Sequence, residues 1–127
     1  MEHILRIFRP TFLTIILAAL IQMTNLTTML GAHPWWADKV VWLGVPVGLC
    51  LAATAWVLRL SRTTQMLGFG LATCVAFGLT QLGKARFAAS YAEDMLAGQI
   101  WYLGWIATCA LAFATLASLT AVSHQTR

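Results

Sequence analysis

Apolar residues in this chain gather into long unbroken blocks. They do not alternate at strand spacing, nor do they trace the single stripe of a surface helix. The plainest block, Val40 to Leu58, reads VVWLGVPVGLCLAATAWVL and carries no charge. Asp38 and Lys39 precede it, and Arg59 and Arg62 follow. At about 1.5 Å rise per residue, a helix of that length crosses a hydrocarbon core of about 30 Å. Three further blocks, over 12–30, 66–82 and 100–119, read the same way. The pattern predicts an all-α integral membrane protein. Its expected form is a compact four-transmembrane-helix bundle, a single domain over 1–127.

The segments between the blocks are polar and short, with one exception. Residues 1–11 mix Glu2, His3, Arg6 and Arg9 with apolar neighbours, and Pro10 suits a helix start. The basic start followed by an apolar run resembles a signal peptide, but the run continues through Leu30 and reads as a retained first span. The longest connection, Gly83 to Gln99, is alanine-rich. It places Phe87, Tyr91 and Met95 four residues apart on one stripe. It predicts an interfacial helix over about 84–97, or an extension of the third span, closed by Gly98.

Composition supports this reading. Hydrophobic residues make up 60% of the 127 and charged residues 9%, where a soluble domain has about 45–50% and about 25%. The formal net charge of +4 arises from scattered Lys and Arg, so no basic groove for nucleic acid can be assembled. Four crossings would put both termini on one side. The Lys and Arg count favours that side as the cytoplasm, which for a bacterial chain means the inner membrane. Cys50, Cys74 and Cys109 lie inside apolar blocks with no C-x-x-C pair and read as small hydrophobes.

Candidate sites follow from the exceptions to apolarity. Gln22, Asn25 and Thr28 form a polar intramembrane face on the first block, and Gln81 ends the third. A carboxamide facing lipid is costly, so this face should point at another helix. Gly44 and Gly48 give a G-x-x-x-G spacing for helix packing. Gly68, Gly70 and Gly78 predict a third span packed closely and shielded by its neighbours. His33, Trp35 and Trp36 read first as a headgroup-level anchor, and second as a cofactor contact for a lipid, quinone or pigment. Trp101, Tyr102 and Trp105 form an aromatic collar on the fourth block.

The blocks contain no Asp, Glu, Lys, Arg or His to carry an ion, and the chain shows no triad or phosphate-binding loop. No catalytic or metal-ligating residue is assigned. Abundant packing signals beside missing catalytic chemistry suggest an accessory or structural subunit of a larger membrane complex, with other membrane subunits as partners. Respiratory and photosynthetic assemblies are the hosts that association suggests. The alternatives are a small homo-oligomeric transporter or channel lined by the first-block polar face, and a quinone, pigment or lipid binding protein.

Overall fold

The computed structural model describes residues 2–120, with side chains from Phe8 to Leu119. Five helices follow one another: α1 (Glu2–Thr24), α2 (Leu26–Met29), α3 (Ala37–Val57), α4 (Arg62–Ala89) and α5 (Met95–Thr120). The central element is α5. It packs most extensively against α4 and then α3, and α1 leans on both α5 and α3. The core gathers Phe113, Cys109 and Trp105 of α5 with Val40, Val41 and Val45 of α3 and Ala18 of α1.

Three helices, α3, α4 and α5, are long and apolar enough to cross a membrane. This corrects the expected four-transmembrane-helix bundle. Over the residues whose side chains are described, α1 offers the shorter apolar stretch Phe8–Thr24, about 25 Å at 1.5 Å per residue, against a hydrocarbon core of about 30 Å. The reason lies in the polar residues of the first block. The Thr24 hydroxyl donates to the Leu20 and Ile21 carbonyls at 2.9 and 3.2 Å, satisfying acceptors in the last turn of α1. Asn25 then takes a left-handed conformation with φ 55°, which asparagine tolerates better than most residues. The block expected as one rod over 12–30 is therefore a longer helix, a break and a single short turn. The shared cytoplasmic face for both termini rested on a fourth crossing and falls with it.

Other boundaries shift for similar local reasons. Pro10 lies inside α1, not at its start, and α3 runs continuously through Pro46. No separate helix occupies 84–97. As in the alternative of an extended third span, α4 continues to Ala89; a turn follows, and α5 begins at Met95, so Gly98 sits inside α5. Tyr91 and Ala92 adopt φ 57° and 67°, and the Ala92 N–H returns to the Phe87 carbonyl at 3.0 Å. That is the left-handed helix stop usually built with glycine. At the opposite end, the Ser61 side chain caps α4 by accepting the Thr64 N–H at 3.1 Å.

Close helix contact depends on specific glycines. A Cβ at Gly44 would meet the Cys109 Cβ at 2.6 Å, and one at Gly48 the Ala110 carbonyl oxygen at 2.5 Å, so the G-x-x-x-G edge of α3 is filled by α5. Between α4 and α5 the close approach uses Gly83 and Gly104, whose Cβ positions fall 2.7 Å from the Trp101 nitrogen and the Thr80 Cβ. Gly68, Gly70 and Gly78 meet nothing within 4 Å. The expected shielding of the third span is thus reversed: of α4, only Ala76, Thr80 and Gly83 are buried.

Candidate functional site

The polar and aromatic candidates converge at one end of the bundle, where α1 and α4 finish and α3 and α5 begin. The break at Asn25 turns the chain through α2 into the loop 30–36 and leaves backbone carbonyls without helical partners. Two side chains from other helices satisfy them. Gln81 Nε2 donates to the Leu30 carbonyl at 2.7 Å, and Trp101 Nε1 donates to the Gly31 carbonyl at 3.0 Å. The Thr80 hydroxyl in turn donates to the Trp101 carbonyl. Gly31 has φ 113°, and a Cβ there would meet the Gln81 carboxamide and Lys84 Nζ at 3.2 Å, so only glycine fits.

Around this knot the rings form one cluster. His33 lies 5.2 Å from Trp35, 6.0 Å from Trp36 and 5.6 Å from Trp101, measured between ring centroids. Trp36 also meets Trp101 at 5.2 Å and Tyr102 at 5.1 Å, edge to face. These separations suit the ring quadrupoles. His33 Nδ1 accepts the Trp35 N–H at 3.1 Å, which in the neutral ring leaves the proton on Nε2. Trp36 and His33 are half-buried, while Trp35 is exposed.

The predicted polar face is only partly gathered. Gln81 is drawn into the knot, Gln22 is half-buried, and Asn25 and Thr28 are exposed. All four lie toward the same end of the bundle, where Asn25 serves the chain reversal. Gly44 and Gly48 are elsewhere, in the α3–α5 contact. Trp105, expected in the collar, is core, packed edge-on against Phe77 at 5.7 Å. Sequence reasoning did not single out Trp101 as the partner of His33, nor Thr80, Gly83 and Gly104 as the α4–α5 seam. Trp101 was visible as part of the aromatic collar, whereas the seam residues offered a small or hydroxyl residue within an apolar run, which chance also supplies.

Among the described residues no group of three or more His, Cys, Asp or Glu converges as a metal site. Among the described residues, the buried Thr14 Oγ1 and Trp105 Nε1 have no hydrogen-bond partner. The chain matches no protein-family model, no curated protein and no solved structure. The fold and these residues define an all-helical protein with three candidate membrane spans, whose apolar surface is consistent with an integral membrane location.

Proposed function

We propose that the chain is an accessory or structural subunit of a membrane protein complex, supplying helix-packing surface and assembly stability. For a bacterial chain we infer an inner-membrane location, a reading its apolar helices support. The observation that carries this reading is the outward side of α4. Leu67, Leu71, Val75, Leu79 and Leu82 are exposed there, and Gly68 and Gly78 leave bare backbone on the same helix with nothing within 4 Å. Such gaps in an apolar helix let a second helix approach its backbone closely. Within the bundle, the other glycine edge, on α3, is already filled.

The transporter reading has less support, because Gln22, Asn25, Thr28 and Gln81 sit together at one end and do not line a path along the bundle. The ligand reading keeps one favourable feature, the Nε2 proton of His33 beside three indole rings. An absorbance spectrum of material purified from native membrane tests for a pigment there.

Purification in mild detergent, comparing the native chain with Gly68→Leu and Gly78→Leu, tests the subunit reading. Both variants are expected to fold, since their side chains enter open space, and to lose co-purifying subunits several-fold. A native chain that runs as a monomer with no companion, unchanged by either substitution, would overturn it.

A further inference from the structure

The three candidate spans fix where the bilayer boundary falls at the aromatic end. Uncharged stretches bounded by charges at both ends run from Val40 to Leu58, along α3 and its C-cap, and from Thr63 to Gly83 in α4. At 1.5 Å per residue these are about 28 and 31 Å, both matching a hydrocarbon core of about 30 Å, while α5 is uncharged from Met95 onward and is placed by its packing against α4. Their upper ends are also level in space. The Gly83 Cβ position lies 2.7 Å from the Trp101 nitrogen and 2.8 Å from the Ala97 oxygen, and Trp101 is in ring contact with Trp36, just before α3. Lengths and packing are independent observations, and they give the same plane.

What lies beyond that plane is the α4–α5 hairpin over 84–99. The last turns of α4, Lys84 to Ala89, rise about 9 Å above it, against a headgroup layer of about 5–8 Å. The hairpin is held in a defined shape. The Ser90 hydroxyl oxygen accepts the Asp94 N–H at 2.9 Å, and the Asp94 carboxylate accepts the Ala97 N–H at 3.0 Å. Yet its outer side chains are bare: Tyr91 is 91% exposed, Met95 69% and Leu96 67%. Lys84, Arg86, Glu93 and Asp94 are exposed around them. Trp35, 87% exposed, lies on the neighbouring loop. A tyrosine and a tryptophan among charges at the end of apolar spans are the composition that the headgroup layer selects.

We propose that the 84–99 hairpin is a lipid-binding foot. It seats Tyr91, Met95 and Leu96, with Trp35 beside them, in the phospholipid headgroup layer, where Lys84 and Arg86 face the phosphates. This rests on membrane embedding and not on the subunit reading above.

The test uses the full chain in vesicles of phosphatidylcholine and phosphatidylglycerol doped with a photoreactive lipid. The carbene precursor is placed either beside the glycerol or at the acyl terminus, and adducts are mapped by mass spectrometry. The glycerol-level probe is expected to label residues 91–96 and Trp35, while the tail-end probe labels the middle of α4 around Leu71 and Val75. In Leu96→Asp and Tyr91→Asp variants of unchanged helix content, hairpin labelling falls several-fold. Three results would overturn the proposal. Residues 91–96 are labelled mainly by the tail-end probe. They are labelled by neither probe, and water-borne hydroxyl radicals oxidise Tyr91 and Met95 freely. Or they are protected from both lipid probes and radicals, so that a second copy covers them.

Discussion

At the residue scale, the same amino acid does opposite work in different places. Gly44 and Gly48 admit the backbone of α5, and a methyl group at Gly48 would run into the Ala110 carbonyl, which cannot swing aside as a side chain can. Gly48→Ala is therefore expected to destabilise the bundle by about 1–3 kcal/mol, the usual cost of overpacking, read from thermal or detergent-induced unfolding. A loss below the resolution of that measurement would mean the α3–α5 approach is looser than described. Thr14 poses the reverse case. Its hydroxyl is buried on α1 with no partner, and an unpaired buried polar group costs about 1–3 kcal/mol. Thr14→Val should raise the unfolding midpoint, and a lowered midpoint would show that the hydroxyl is satisfied after all.

At the element scale, the loop 30–36 depends on donors borrowed from α4 and α5. Trp101→Phe keeps the ring contacts with His33 and Trp36 in outline but removes the N–H that the Gly31 carbonyl accepts. The expected cost is about 1–2 kcal/mol, concentrated at the aromatic end, so amide exchange should quicken in 26–36 before it does in α3 or α5. Uniform quickening along the chain would instead assign Trp101 to the general core. This element also shows what could be read in advance. Val40 to Leu58 was legible because an uninterrupted apolar run has one physical solution in lipid. The first block was not, because its length of apolar residues masked a left-handed Asn25 whose conformation is set by the chain reversal after it. The glycines of α4 pointed to close packing, and Gly83 does pack, but Gly68, Gly70 and Gly78 face outward. Spacing alone cannot distinguish a helix edge filled by its own bundle from one left bare. For the candidate site, His33, Trp35, Trp36 and Gln81 were individually visible as exceptions to apolarity. Their meeting with Trp101, about 70 residues away in sequence, depends on α5 lying beside the loop.

At the scale of the whole molecule, three candidate spans make a testable statement about sidedness that does not depend on α1. If α4 crosses, the α3–α4 connection at 58–61 and the α4–α5 turn at 90–94 lie on opposite faces. Membrane-impermeant labelling of single introduced cysteines at Leu60 and Ala92 is expected to occur from opposite faces of the bilayer. Labelling of both from the same face would remove α4 from the set of crossings. The tryptophan and histidine cluster at one end of the bundle also gives the molecule a polarity along its helix axes, with the longer hairpin on the same side.

The position of α5 has a further consequence for how the molecule is made. Helices α3 and α4 both rest on α5 and make at most a marginal contact with each other. As the polypeptide emerges from the ribosome, α1 and α3 already have one another to lean on, whereas α4 meets the earlier chain chiefly through the Gln81 bond to the Leu30 carbonyl. Its capture waits for the helix synthesised after it. Until then the nascent protein is an unfinished arch, and cellular surveillance that removes unassembled membrane helices has its opening in that interval.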